Sequence, residues 1–336
     1  MIPAQGDVSV PEAAAATARA NVNVALVKYW GKRDAALNLP AAGSISVTLD
    51  GLGVEARVRF RRGTTDRFVI DDAEASGDER RRLSQFLDLV RAECGRDEPA
   101  EVETRSTVPR AAGLASSAAA FAALALAATR AAGRRLDARA LSVLARRGSG
   151  SAARSIFGGF VEWQRGERAD GADSAAQPLL DAGAWDLRVV VALVSSARKA
   201  VSSRDGMTHA ATSPLYPAWI EGVARDLTRA RDAIARRDLE ALGLTAEHSA
   251  LTMHAVGLGA EPPLLYWRAA TVECLHRIWA LRAAGTSAYV TIDAGPQVKV
   301  LCDPAGEDRV RAALTDVPGV ERVFACKLGG GAEVVP

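Results

Sequence analysis

The sequence lacks the patterns of several common classes of site. Its four cysteines form no C-x-x-C pair, and their spacing matches no zinc site. The four histidines show no H-x-x-x-H or H-E-x-x-H spacing, so a zinc enzyme is not indicated. No G-x-x-x-x-G-K-[ST] loop occurs, which excludes a nucleotide site of the P-loop type. We expect reduced thiols in a cytoplasmic protein.

Membranes and nucleic acids are not indicated as partners. No stretch approaches the roughly 18 apolar residues of a membrane span, and the N-terminal segment lacks the basic start and apolar run of a signal peptide. Lys and Arg number 42 against 40 Asp and Glu, a net charge of +2, and the basic residues are spread along the chain. With 336 residues, 49% apolar and 24% charged, the chain has an ordinary globular composition.

Apolar periodicity predicts a first block of mixed structure. Residues 116–132 are nearly all Ala and Leu, so we predict a helix that is buried on every side. Alternation and helical spacing predict the other elements of this block. These are strands at 21–27, 45–49, 54–60, 67–70 and 159–164, and helices at 78–93 and 138–147.

A polar, acidic, small-residue segment at 170–183 marks a domain boundary, and a second block follows it. Its predicted strands are 189–194, 288–292, 298–301 and 320–325, and its predicted helices are 219–242, 264–284 and 308–314. Helices and antiparallel-looking strands in two blocks indicate the α+β class. We predict a loose tail at 1–18, an N-terminal domain at 19–183 and a C-terminal domain at 184–336.

The loop 109–115 leads directly into the buried helix. A helix start offers free N–H groups and a favourable dipole to an anion. Gly113 permits close approach of a phosphate to the backbone, and Ser116 and Ser117 add hydroxyl donors or a ligand for Mg²⁺. The simpler alternative is an ordinary serine cap on the helix.

The segment 28–33 places three cations and two aromatic residues at the end of a strand. Lys28, Lys32 and Arg33 cannot all point the same way, so some of them face a cleft. Such a cleft suits a polyphosphate or a carboxylate. The alternative is a basic turn around a packed Trp30.

The segment 148–154, G-S-G-S-A-A-R, matches the G-x-G-x-x-A form of a dinucleotide motif. That motif should follow a strand, and here a predicted helix precedes it. We therefore favour a serine-lined loop that binds oxyanions, with Arg154 close by. Asp293, in a D-A-G-P turn, is either a turn former or a carboxylate that lies near Lys28 and deprotonates a hydroxyl.

Taken together, five segments in this order resemble the mevalonate diphosphate decarboxylases, a branch of the GHMP-kinase superfamily. They are N-V-A-L-V-K-Y-W-G-K-R at 23–33, P-x-A-A-G-L-A-S-S-A at 109–118, G-S-G-S-A-x-R-S-x-F-G-G-F-V-E-W at 148–163, S-S-x-x-G-M at 202–207 with T-S-P-L at 212–215, and D-A-G-P at 293–296.

The resemblance implies a fold and a reaction. The N-terminal domain should be like ribosomal protein S5 domain 2, and the C-terminal domain should be ferredoxin-like, with the active site between them. The family uses ATP and Mg²⁺ to convert mevalonate 5-diphosphate into isopentenyl diphosphate, ADP, phosphate and CO₂. A homodimer is the family expectation.

The resemblance also implies roles for individual residues. Asp293 would orient or deprotonate the 3-hydroxyl, Lys28 would lie beside it and the transferring phosphate, and Arg154 would hold the substrate carboxylate. The other residues implied in substrate binding are Asn23, Tyr29, Lys32, Ser149, Ser151 and Met207. Those implied in ATP binding are Pro109, Gly113, Leu114, Ala115, Ser116, Ser117 and Ser213, with Ser116 and Ser117 also near Mg²⁺.

Some positions depart from the family pattern. Ala-Ala-Gly at 41–43 and Ser-Thr at 106–107 stand where the family often has Asn, and Arg110 replaces a small polar residue. These differences concern the nucleotide contacts.

Three alternatives remain open at this point: a decarboxylase of mevalonate 5-phosphate, another small-molecule kinase of the superfamily, and a catalytically dead binding homologue. A dead homologue should have lost Asp293 or Lys28 first. Because Asp293, Lys28 and Arg154 are all present, we expect decarboxylation.

Overall fold

An eight-stranded and a four-stranded sheet, with helices packed against them, form most of the described part of the chain, and a small two-stranded sheet accompanies them. The computed structural model describes residues 15–107, 116–197 and 199–336. The predicted α+β class is confirmed. Across these ranges we find no helix whose length and apolar character would let it span a bilayer.

The bounds of the strands and helices are as follows. The strands are β1 Ala16–Val27, β2 Lys32–Asp34, β3 Leu39–Pro40, β4 Ser44–Phe60, β5 Arg67–Ile70, β6 Ala73–Glu74, β7 Ala100–Ser106, β8 Phe160–Trp163, β9 Ala176–Leu180, β10 Arg188–Leu193, β11 Ala288–Ile292, β12 Val298–Cys302, β13 Arg322–Cys326 and β14 Glu333–Val335. The helices are α1 Gly77–Cys94, α2 Ser116–Ala131, α3 Ala138–Gly148, α4 Ala152–Ser155, α5 Ser203–Ala210, α6 Tyr216–Arg236, α7 Leu239–Leu258, α8 Ala269–Ala283 and α9 Glu307–Thr315.

The larger sheet belongs to the N-terminal block. Its strands run in the order β14-β1-β4-β7-β5-β6, and β8 joins β4 to β9. Helix α2 packs on β1 and β4, and its alanines are almost completely buried. Small side chains let a helix lie close to a sheet, so the prediction of a buried helix at this position is confirmed.

The smaller sheet is antiparallel, in the order β11-β12-β10-β13, and both of its faces are buried. Val190 and Val300 face a core formed with α8 and α9. Val189 and Leu301, on the other face, belong to a core that also contains Leu26 of β1. The two blocks therefore share one apolar core across their boundary.

The structure departs from the predicted elements at both ends of the chain. Strand β1 begins at Ala16, inside the segment 1–18 predicted as a tail, and it pairs with β14 from the other end of the chain. The predicted strands 45–49 and 54–60 are one continuous strand, β4. The division after residue 183 falls between β9 and β10 and stays a prediction.

The predicted helix over 219–242 is wrong, because two helices occupy this region. Helix α6 ends at Arg236, and Arg237 takes a left-handed conformation with φ of 54°. Asp238 then caps α7 by accepting a hydrogen bond from the amide of Ala241 at 2.9 Å. Helix α7 is apolar on several sides, so its composition gave no single face to separate it from α6.

One buried carboxylate ties α7 to its neighbours. Glu247 accepts hydrogen bonds from Trp279 Nε1 at 3.0 Å, from both terminal nitrogens of Arg282 at 3.0 Å each, and from the amide of Val290 at 3.1 Å. Trp279 and Arg282 lie on α8, and Val290 lies on β11. Four donors on one carboxylate fix the position of α7 against the smaller sheet.

We predict that Glu247→Gln lowers the free energy of unfolding by about 2 kcal/mol, because the amide loses charge-assisted hydrogen bonds. Urea unfolding followed by circular dichroism measures this change. Glu273→Gln is the matched control, since Glu273 and Arg277 are both nearly half exposed and the change should stay below about 0.5 kcal/mol. Equal effects of the two substitutions would contradict the prediction.

Candidate active site

Asp293 lies between two buried ammonium groups. Its Oδ1 is 2.8 Å from Lys28 Nζ, and its Oδ2 is 2.9 Å from Lys299 Nζ. Both lysine side chains are 1% exposed, whereas 25% of the Asp293 side chain is exposed. Lys28 follows β1 and Lys299 lies in β12. The Lys28–Asp293 ion pair therefore joins the two blocks, the Lys299–Asp293 pair lies within the second block, and the carboxylate still has an open side.

The charges of this group control one another. Burial of the Asp293 carboxyl is the largest single effect and would raise its pKa, but Lys28 and Lys299 together hold that pKa below its ordinary range. Burial lowers the pKa of Lys28 to about 8, although Asp293 opposes this change. At neutral pH the carboxylate is thus ionised and Lys28 is charged, within reach of its titration.

Lys28 is fixed in direction by backbone and side-chain contacts. Its Nζ also donates to the carbonyl of Ala25 at 2.7 Å. Its amide donates to Ser249 Oγ on α7 at 3.0 Å. An ammonium has three donors, so Lys28 keeps one donor for a ligand after binding Ala25 and Asp293.

Arg154 is a second buried cation, 2% exposed, on the short helix α4. Its Nη1 donates to Ser44 Oγ at 2.5 Å, and its Nε and Nη2 donate to Asn23 Oδ1 at 3.2 and 3.0 Å. The Asn23 amide is itself held by Ser155 Oγ at 2.8 Å. Burial lowers the pKa of Arg154 to about 10. A buried cation bound to neutral acceptors is well suited to an anionic ligand.

A cavity of about 730 Å³ is lined by Lys32 and Gly148, which come from the segments that also carry Lys28 and Arg154. It carries several cations and one acid, with Tyr216 and Met207 in its wall. The charged residues that line it are Lys32, Arg82, Arg147, Arg204 and Asp205. Burial lowers the pKa of Lys32 to about 8, and the nearby Arg204 and Arg82 lower it further. The excess of positive charge suits a polyphosphate.

Two glycines let tyrosine rings approach the backbone closely, and one of these rings, that of Tyr216, is part of the cavity wall. Gly31 has a φ of +99°, and a Cβ there would lie 1.9 Å from Tyr216 Oη. A Cβ on Gly150 would lie 2.6 Å from Tyr29 Oη. Among the described residues, the buried Tyr29 hydroxyl has no hydrogen-bond partner. It is therefore a free donor next to the serine loop.

A second cavity, of about 520 Å³, lies at the start of α2. Ser116 and Ser117 line it, together with apolar side chains that include Phe68 and Leu124, and Arg82 lines both cavities. Ser117 Oγ is 3.4 Å from Ser149 Oγ. A serine predicted to bind ATP thus meets a serine predicted to bind substrate, at the junction of the two cavities.

The positions of the remaining predicted residues are as follows. Arg33 donates to the carbonyl of Arg168 at 3.0 Å, so of the three cations at 28–33 two serve the site and one does not. Ser213 Oγ accepts from the amide of Leu215 at 3.3 Å and is not part of the lining of either cavity described above. The side-chain amide of Asn23 donates a hydrogen bond to the backbone carbonyl of Ser151 at 3.1 Å. The residues that lie outside the described part of the chain are Pro109, Gly113, Leu114 and Ala115.

The residues near Asp293 or in the cavity that were not predicted from the sequence include Lys299, Arg204, Lys199 and His254. Lys299 interrupts the apolar run of β12, and a charge inside a buried strand was the signal that could have found it. Arg204 occupies a variable position of the S-S-x-x-G-M motif. Lys199 donates to the carbonyl of Ala294 at 2.7 Å. The pKa of His254 is lowered to about 3, mainly by burial and to a smaller extent by the charge of Lys28. This imidazole is therefore neutral.

A divalent cation fits this site only as a companion of phosphate groups. Within the described ranges no three His, Cys, Asp or Glu side chains form a cluster that could hold a metal ion. Mg²⁺ keeps much of its water and binds few protein ligands when phosphates are present. The hydroxyls of Ser116 and Ser117 supply oxygen atoms of the kind such an ion needs.

Two family models cover most of the chain. Residues 20–176 match the diphosphomevalonate decarboxylase-like N-terminal domain, and residues 189–328 match the mevalonate 5-diphosphate decarboxylase C-terminal domain. A diphosphomevalonate decarboxylase from Candida albicans is 32% identical, over 94% of this chain and 96% of its own length.

Solved structures are also similar over nearly the whole chain. The mevalonate diphosphate decarboxylase from Staphylococcus aureus has a TM-score of 0.91 and 38% identity, covering 96% of this chain and 98% of its own. A structure described as MDDEF in complex with MVAPP, AMPPCP and magnesium has a TM-score of 0.90 and 38% identity, with the same coverage of 96% and 98%.

We predict that Tyr29→Phe leaves the melting temperature of the free protein unchanged but weakens binding of inorganic pyrophosphate. The hydroxyl has no partner to lose among the described residues, whereas a bound anion would accept its hydrogen bond, with a loss of about 1–1.5 kcal/mol. Thermal unfolding over a range of pyrophosphate concentrations measures the binding. Tyr289→Phe, on β11 and away from both cavities, should match the wild type. The same pyrophosphate protection in Tyr29→Phe would rule out this role.

Proposed function

The chain belongs to the diphosphomevalonate decarboxylase family, and we propose that Asp293, Lys28 and Arg154 perform its reaction, the ATP-dependent decarboxylation of mevalonate 5-diphosphate. The predicted GHMP-kinase fold is that of the similar structures. The enzyme uses ATP as co-substrate together with Mg²⁺. The observation that carries the assignment of roles is the buried group of Lys28, Asp293 and Lys299, with Arg154 close enough to interact electrostatically with Asp293.

The two cavities divide the ligands by their chemistry. The cationic cavity suits the diphosphate, with Lys32 and Arg204 of its lining as donors. The Tyr29 hydroxyl, which has no partner among the described residues, is a further donor outside that lining. The second cavity combines apolar walls with the start of α2, so it suits the base and the phosphates of ATP. Where Ser117 and Ser149 approach each other, the γ-phosphate meets the substrate. This arrangement holds the two reactants together.

The first chemical step is transfer of the γ-phosphoryl group to the 3-hydroxyl. The hydroxyl oxygen forms a bond to phosphorus, the bond to the ADP oxygen breaks, and the hydroxyl proton passes to Asp293. The two lysines keep the pKa of Asp293 below its ordinary range, so the carboxylate is a weak base. Phosphoryl transfer passes through a loose transition state with little covalent chemistry left for the protein. Orientation of the hydroxyl is therefore the larger part of its role.

The second step releases phosphate and CO₂. The bond between C3 and the phosphate oxygen breaks, and its electron pair leaves with the phosphate. The bond between the carboxylate carbon and C2 then breaks, and its electrons form the double bond between C2 and C3. Lys28 stabilises the departing phosphate with its remaining donor, and Arg154 keeps the carboxylate aligned.

Mg²⁺ would be held by Ser116 or Ser117 together with phosphate oxygens of the nucleotide. When bound, it neutralises charge on the phosphates.

We expect equal amounts of ADP and CO₂ when the protein turns over mevalonate 5-diphosphate with ATP and Mg²⁺. Parallel reactions contain mevalonate or its 5-phosphate, and both products are followed in each. Turnover of the 5-phosphate would make the enzyme a phosphomevalonate decarboxylase, and ADP without CO₂ would make it a kinase. No ADP with any substrate would leave a binding homologue.

Asp293→Asn is the internal control of this experiment. Loss of the carboxylate should reduce kcat by at least about 10³-fold, the scale of a positioned acid or base. Asp316→Asn, exposed at the end of α9, should retain wild-type turnover. Wild-type activity in Asp293→Asn would remove Asp293 from the mechanism.

We also propose that the enzyme is a cytoplasmic homodimer. The family resemblance supports the dimer, and four cysteines that form no disulfide suit a reducing compartment. Light scattering coupled to size-exclusion chromatography should give twice the chain mass of 35.2 kDa. A mass of one chain at micromolar concentration would exclude a stable dimer.

A further inference from the structure

Lys299 is a charged residue in the interior of an apolar sheet. It lies in β12, where its register neighbours are Val191 of β10 and Thr291 of β11. Its side chain is 1% exposed, and the residues on either side in the strand are Val298 and Val300, both completely buried. An ammonium group at such a position is unfavourable unless an opposite charge compensates it.

Asp293 provides that compensation. Among the described residues, the hydrogen bond from Lys299 Nζ goes to Asp293 Oδ2, at 2.9 Å. The other carboxylate oxygen is bound by Lys28 at 2.8 Å. Because each oxygen is held from a different side, the carboxylate cannot rotate without breaking an ion pair.

The two lysines are not equivalent. Lys28 also donates to the carbonyl of Ala25 and directly follows β1 of the larger sheet. Lys299 comes from the central part of the smaller sheet, behind the carboxylate. Burial brings the pKa of Lys28 to about 8, so this lysine loses its charge in mildly alkaline solution.

Other charged or titratable groups also face Asp293. They come from the loop after β10, from α4 and from α7, and none of them donates a hydrogen bond to the carboxylate oxygens in the described part of the chain. They are Lys199, Arg154 and His254.

We infer that Lys299 is a positioning residue, which holds Asp293 by Oδ2 and keeps it ionised so that Oδ1 faces Lys28 and the substrate hydroxyl. This inference rests on the proposed function, because it assigns Lys299 a part in the same reaction. Lys299 acts from behind the carboxylate and does not touch the substrate. It therefore contributes to kcat and to its pH dependence, while substrate binding depends on the cationic cavity.

Lys299→Met tests the inference, since it keeps the length of the side chain and removes its charge. Without Lys299 the pKa of Asp293 rises, and activity needs the ionised carboxylate. The acid limb of the kcat profile should therefore move to higher pH by at least about one unit. At neutral pH Asp293 stays ionised beside Lys28, but its Oδ2 is no longer held. The loss of orientation should therefore lower kcat by about 10- to 100-fold, with KM for the diphosphate changed less than about threefold.

Val191→Ala is the matched structural control, because Val191 is the register neighbour of Lys299 on β10. It should lower the melting temperature by opening a small cavity and leave the pH profile of kcat unchanged. A purely structural role for Lys299 would give the same result in both variants, a lower melting temperature with the wild-type profile, and would overturn the inference.

Lys299→Gln covers the case in which Lys299→Met does not fold. Glutamine can still donate to Oδ2 but carries no charge, so the acid limb should again move to higher pH. A wild-type profile in this variant would refute the role of the Lys299 charge. A wrong proposed function can be told apart from a wrong role for Lys299, because in the first case the wild-type protein itself would release no CO₂.

Discussion

The site depends on one carboxylate bound by two buried ammonium groups. Asp293 follows β11 of the smaller sheet, Lys28 follows β1 of the larger sheet, and Lys299 lies in β12. Two buried ammonium groups around a partly exposed carboxylate are stable only if the distances between the charges are held closely. The packing of the two sheets against each other sets those distances, so the shared apolar core is a precondition of the site.

Positive charge is concentrated where the blocks meet. Over the whole chain Lys and Arg exceed Asp and Glu by only two. Around Asp293, however, Lys28, Lys299 and Arg154 are buried with a single carboxylate among them. The cavity lined by Lys32 and Gly148 adds further cations, among them Arg82, Arg147 and Arg204. A local excess of this kind selects anionic ligands, although the net charge of the chain gives no indication of it.

The same excess fits the order of the chemistry. The substrate brings a diphosphate and a carboxylate, and ATP brings a triphosphate, so the ligands supply the negative charge that the cavity lacks. Arg154 is held by the neutral groups of Asn23 and Ser44 and remains available to an anion. The groups are in place before the ligands arrive, which is the condition for electrostatic catalysis.

Much of the fold followed from periodicity, because each such element has its own pattern of apolar residues. The buried helix α2, the strands β11 and β12 and the helix α1 were predicted within one or two residues. The break between α6 and α7 was not, since Arg237 adopts its left-handed conformation without the glycine that usually marks one. The pairing of β14 with β1 joins residues more than 300 positions apart, and no local pattern encodes that contact.

The sequence by itself determined the chemical types of the site: a lysine after a strand, serine loops, an arginine beside them and an acid in a turn. It also determined the family, through the order of those segments. Only the tertiary structure decided that Lys299 binds the second oxygen of Asp293, that Arg33 points away and that Arg204 joins the cavity. The physical reason is that the direction of a charged side chain depends on its partner, and these partners come from distant parts of the chain.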